Sequence, residues 1–122
     1  MPAAPRLHLR LFFGAFKFGP GKADLLERIR DTGSISAAGR QMGMSYKRAW
    51  SLVEDMNAAF AEPLVASARG GAGGGGARLT ETGQRVLRHF RAVEAATLAA
   101  GAPDIAALQA LLAAPGDMSS QK

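Results

Sequence analysis

The sequence predicts a mostly α fold with a small β component, a winged helix-turn-helix preceded by a strand and followed by a long carboxy-terminal helix. Three observations carry this. Two helical patterns, about Ile35–Met42 and Ser45–Phe60, are separated by Gly43-Met44. A glycine run from Gly70 to Gly76, broken only by Ala72, sits between two short strand-like segments. A new helix start, Thr80-Glu81-Thr82-Gly83, follows that run at once. A helix pair, a glycine-tipped hairpin and a closing helix, in that order, make a winged helix.

The elements follow in chain order. Residues 1–6 are rich in Pro and Ala and read as a flexible terminus. From Leu7 to Phe18 the pattern alternates, with Leu7, Leu9, Leu11 and Phe13 on one side and His8 and Arg10 on the other. Period two predicts a strand. Phe12, Phe16 and Phe18 load its second face, and Gly19-Pro20-Gly21 ends it. Lys22–Thr32 carries Leu25, Leu26 and Ile29 at helical spacing and stops at Gly33. Ser34 can cap the next helix and Ser45 the one after, each side chain accepting a backbone N–H bond. Ala49, Leu52, Val53, Met56 and Phe60 form the apolar stripe of that second helix, and Glu62-Pro63 closes it. Leu64–Ala68 and Ala77–Leu79 are the two hairpin strands. Thr80 caps a helix over about Glu81–Ala100, which Gly101-Ala102-Pro103 is expected to break. A short helix over 101–114 and a flexible tail over 115–122 complete the chain, so residues 7–100 form the expected domain.

Composition narrows the function. Fifteen Lys and Arg stand against ten Asp and Glu, a formal charge of +5. That balance favours polyanionic partners. There is no cysteine, which removes disulfides and thiolate chemistry and fits a cytoplasmic protein. No apolar run approaches the roughly 20 residues that cross a bilayer, and the arginine-broken amino terminus does not read as a signal peptide. His8 and His89 are far apart in sequence and no nucleophile, base and acid fall together, so neither an enzyme nor a metal site is expected. No cofactor is expected either. Gly71–Gly76 formally matches G-x-G-x-x-G, but Arg78-Leu79 intervenes before the helix and no buried parallel strand precedes it.

A helix-turn-helix needs small residues where its helices cross and a turn residue tolerant of positive φ. Ala38, Gly39 and Gly43 meet these needs. The amino-terminal turn of the second helix reads Ser45-Tyr46-Lys47-Arg48, and in this motif that turn enters the major groove. Lys47 and Arg48 can reach a guanine edge or a phosphate. Ser45, Tyr46 and the capping region at Ser34 and Ser36 suit phosphate oxygens, and Ser51 allows close approach. Trp50, beside an apolar stripe, reads as core in preference to a base contact. Glu54 and Asp55 repel phosphate, so contacts are expected to stop near Ser51. The glycine tip, Gly74 included, leaves N–H groups open to phosphate, and Arg69 and Arg78 flank it. Double-stranded DNA is the expected partner. A winged helix that docks a protein is the alternative, and an apolar face at Tyr46–Arg48 would favour it.

Gly33-Ser34-Ile35-Ser36, Gly43-Met44-Ser45-Tyr46-Lys47-Arg48-Ala49-Trp50, Glu54-Asp55-Met56-Asn57, the glycine run and Leu79-Thr80-Glu81-Thr82-Gly83 together resemble the amino-terminal domain of the ModE family. These are molybdate-responsive transcriptional regulators with a winged helix related to that of the LysR family. The resemblance covers about residues 7–100. It implies a homodimer on a palindromic operator, with Tyr46, Lys47 and Arg48 on the DNA-contacting helix. It also implies pairing of subunits through the first strand (Leu9, Leu11, Phe13) and the last long helix (Val86, Phe90, Val93). Family members usually continue into small β-barrel domains that bind molybdate, and no segment after Ala100 is long or β-like enough to match them. The expectation is therefore DNA binding without an own molybdate site, with any such response coming from a separate molybdate-binding protein or a different signal.

Overall fold

The computed structural model describes residues 4–69 and 75–113. Among the described residues, 8–91 form one compact unit, and 4–7 together with 92–113 form a second. Within the first unit the order is β1 (Leu11–Phe13), β2 (Phe16–Phe18), α1 (Pro20–Thr32), α2 (Ile35–Gln41), α3 (Tyr46–Ala59), β3 (Val65–Arg69), β4 (Gly75–Leu79) and the first part of α4 (Glu81–Ala110). Mostly α with two small sheets is the expected class.

The amino-terminal segment differs from the single expected strand. It is an antiparallel hairpin in which Phe13 faces Phe16 and Leu11 faces Phe18. Gly14, at φ 62°, makes the turn. Reversal there breaks the alternation, so Phe12 and Phe13 are exposed while Phe18 is buried. Leu9 and Leu11 are partly buried against the core. An aromatic cluster pins the hairpin. Phe18 meets the Phe90 ring edge-on at 5.0 Å, and Phe60 stands edge-on to Phe16 at 5.6 Å.

Apolar spacing explains the helices. Ala23, Leu25, Leu26 and Ile29 of α1, Ala38 of α2, and Ala49, Leu52, Val53 and Met56 of α3 form one buried core with Leu64, Leu79, Leu87 and Phe90. Burying an aliphatic side chain of this size stabilises by about 1.5–3 kcal/mol. Helix α1 starts two residues earlier than the periodicity indicates. Pro20 occupies its first turn, where a missing N–H costs nothing.

The β3–β4 hairpin is in register from Val65↔Leu79 to Arg69↔Gly75. Three links hold its root. Asn57 at the end of α3 accepts from the Leu64 and Val65 N–H groups at 2.8 and 3.1 Å and donates to the Val65 carbonyl at 3.1 Å. The Thr80 hydroxyl caps α4 through the Gly83 N–H at 2.9 Å and donates to the Pro63 carbonyl at 2.7 Å. The Ala77 N–H donates to the Gly33 carbonyl at 3.0 Å, tying β4 to the α1–α2 turn.

Helix α4 corrects another expectation. It runs unbroken to Ala110, with Gly101 and Pro103 inside it. Pro103 removes one N–H, and Ala99, whose carbonyl loses that partner, is exposed, so water can replace the bond. In the second unit Val93, Leu98, Leu108, Leu111 and Leu112 are exposed. No described helix is long and apolar enough to cross a membrane.

Candidate nucleic-acid interface

The helix-turn-helix is built as its sequence requires. Gly43 adopts φ 73°, the left-handed conformation that a side chain resists. Gly39 is buried at the crossing, where a Cβ would lie 2.8 Å from the Ala49 Cβ. Only glycine lets α2 and α3 approach this closely. The Ser34 hydroxyl accepts from the Ala37 N–H at 3.0 Å, and the Ser45 hydroxyl from the Arg48 N–H at 3.1 Å. Each satisfies an orphan donor at a helix start, a contribution of about 1 kcal/mol.

The amino-terminal turn of α3 is open. Ser45, Tyr46, Lys47, Arg48 and Ser51 are all exposed. None of the ion pairs among the described residues uses Lys47 or Arg48; they engage Arg30 and Arg91 with Asp24, Glu27 and Asp31. Trp50 does not join the core. It is 46% exposed, and Tyr46, one helical turn before it, is 55% exposed. The apolar stripe of α3 is Ala49, Leu52, Val53 and Met56, and position 50 falls just outside it. The sequence made the indole look ambiguous because one residue either way moves it about 100° around the helix.

Lys47 and Arg48 lead in different directions. Arg48, Leu52 and Asp55, spaced three and four residues apart on one stripe, line a cleft of about 450 Å³ with His8, Arg10, Lys17, Gly19 to Lys22 and Met44. Lys47 is absent from that lining and shares its side of the helix with Trp50, Ser51 and Glu54. Of the cleft cations, Arg48 was expected at the site, while Arg10, Lys17 and Lys22 were missed in the sequence. The alternation of His8 and Arg10 was a signal, but Lys17 joins them only through the turn at Gly14.

The remaining candidates sit as follows. Ser34 and Ser36 are half-buried, and the Ser36 hydroxyl accepts from Arg40 at 3.4 Å. Arg78 is exposed on β4. Gly74 and the side chain of Arg69 lie outside the described residues. Of the expected subunit contacts, Phe13 and Val93 are exposed, and Val86 is partly buried against the core. Phe90 is corrected: it is 3% exposed and packs on Phe18, so it belongs to the protomer's own interior.

Residues 22–84 match the family model of the bacterial regulatory helix-turn-helix proteins of the lysR family. This chain belongs to that family. The lysR-type segment holds both helices of the motif, the wing and the capped start of α4. It is also similar to curated proteins. The molybdenum-pterin-binding protein MopB of Rhodobacter capsulatus is 47% identical over 79 residues, covering 65% of this chain and 29% of MopB. Transcriptional regulator ModE of Yersinia pestis is 46% identical over 71 residues, 58% of this chain and 27% of that protein. The DNA-binding transcriptional dual regulator ModE of Escherichia coli K12 is 44% identical over 71 residues, again 58% and 27%. The matched part is thus under a third of the length of each relative. This lysR-family helix-turn-helix segment is similar to part of the MopB and ModE proteins.

Proposed function

We propose that the chain acts in the cytoplasm as a homodimeric transcriptional regulator that reads a palindromic operator and controls molybdenum-related genes. The observation that carries DNA reading is the open amino-terminal turn of α3, where Lys47 is exposed and unpaired among the described residues. Lys47 reaches a base edge, with Ser51 allowing close approach. Tyr46, Ser45, Ser34, Ser36 and Arg78 bind phosphates, and Arg69 and Gly74 of the wing join them. Leu9, Leu11, Phe13, Val86 and Val93 contribute to the subunit interface. Two recognition helices then meet successive major grooves roughly 34 Å apart. The molybdenum link rests on the likeness to MopB and ModE, and a separate molybdate-binding protein is the proposed source of the signal.

The test is selection of bound fragments from random duplexes, with and without molybdate, alongside sedimentation of the protein. A two-fold symmetric consensus and a dimer mass support the proposal. An asymmetric consensus from a monomer rejects the dimeric readout.

A further inference from the structure

The cleft beside α3 has a charge pattern that base reading does not use. Arg10, Lys17, Lys22 and Arg48 face it with one carboxylate, Asp55. They come from the amino-terminal hairpin and its lead-in, the start of α1, and α3, so folding brings them together from distant sequence positions. None of these cations takes part in an ion pair among the described residues. The acids of α1 are engaged elsewhere, Asp24 and Glu27 by Arg91 at 2.7 and 3.0 Å and Asp31 by Arg30 at 2.9 Å. The lining is open at Gly21. A Cβ on Gly21 would meet nothing within 4 Å. Gly19 is close-packed instead, with Arg10 Cγ 3.3 Å from where its Cβ would be. The missing side chain of Gly19 leaves room for the Arg10 stem to lie against it.

Lys22 records the excess charge. Its ammonium lies 5.4 Å over the Phe16 ring. Burial lowers its pKa first, Asp55 opposes this, and Arg48, Lys17 and Arg10 lower it further. Cations held together with one counter-charge are stabilised by an added anion.

We infer that this cleft receives a phosphate-type oxyanion, either a backbone phosphodiester of bound DNA or free phosphate, held by Arg10, Lys17, Lys22 and Arg48. The DNA arm rests on the proposed DNA binding and places Arg48 among phosphate contacts, not base contacts. The cleft then extends the footprint beyond the helix-turn-helix to the amino-terminal hairpin.

Two variants of the full chain test this. Arg10→Gln/Lys17→Gln/Lys22→Gln removes the charge. Gly21→Glu places a carboxylate on the open lining, in the first turn of α1, where an acidic residue favours the helix and folding is kept. The duplex source predicts that both variants lose about tenfold in affinity, equally on operator and random duplex. It also predicts a salt slope less negative by about 0.9 for each phosphate given up. The free source predicts unchanged duplex affinity, with inorganic phosphate shifting the Gly19, Gly21 and Lys22 amide resonances of the DNA-free protein but not those of Gly21→Glu. Unchanged duplex binding with no phosphate response overturns the inference. A parent protein that binds no duplex at all removes the regulator proposal instead, and the phosphate titration then decides the cleft alone.

Discussion

Asn57→Ala removes the side chain that locks the wing to the recognition helix. The amide of Asn57 makes three hydrogen bonds, to the Leu64 N–H, the Val65 N–H and the Val65 carbonyl, at 2.8, 3.1 and 3.1 Å. Leu64 and Val65 are buried, so water does not readily replace the lost partner. A net 0.5–1.5 kcal/mol per bond, with added cost for stranded buried donors, gives a loss of about 2–4 kcal/mol. Asn57→Asp keeps both acceptor bonds but sets a carboxylate oxygen against the Val65 carbonyl, so it is also destabilising, by about 1–3 kcal/mol. Urea unfolding followed by circular dichroism reads both values. The alanine variant is also expected to bind duplex more weakly near its midpoint, because the β3–β4 hairpin is no longer fixed to the end of α3. A loss below about 0.5 kcal/mol for Asn57→Ala refutes this reading of how the wing is held.

Three further outcomes are expected. Gly39→Ala forces a methyl to 2.8 Å from Ala49 Cβ at the helix crossing, so unfolding should show a loss of about 1–3 kcal/mol; an unchanged midpoint means the crossing is slack. Trp50→Ala removes an exposed side chain, so stability should move by less than about 0.5 kcal/mol while duplex affinity falls; a large stability loss would return the indole to the core. Lys22 has a pKa lowered in the folded state, so its burial opposes folding while it is charged, and that penalty is relieved as pH rises from the lowered value toward 10.5. Replacing Lys22 by Met should flatten the rise of stability over that alkaline window, and an identical pH profile contradicts the assigned environment.

Local chemistry made much of this molecule legible. Ser34, Ser45 and Thr80 cap the helices they precede, because a short hydroxyl before a periodic apolar run has few better uses. Gly43 turns where positive φ is needed, and Ala49, Leu52, Val53 and Met56 bury the stripe their spacing describes. What escaped depends on tertiary neighbours. The turn at Gly14 converts one alternating run into two strands, and only then do Lys17 and Arg10 share a cleft with Lys22 and Arg48. Phe90 was indistinguishable from an interface residue until Phe18 was found against it. Pro103 argued for a helix end, yet the helix passes through it, since one lost bond on an exposed turn is a limited penalty. Trp50 lay at the edge of a stripe, where angle alone decides exposure.

Titration of the labelled protein with its selected duplex reads whether α3 enters the groove. The amide resonances most displaced by DNA should run from Ser45 to Ser51, and Lys47→Ala should abolish discrimination between selected and random duplex. Displacements confined to α4, with Ser45–Ser51 unmoved and discrimination intact in Lys47→Ala, would contradict entry of α3.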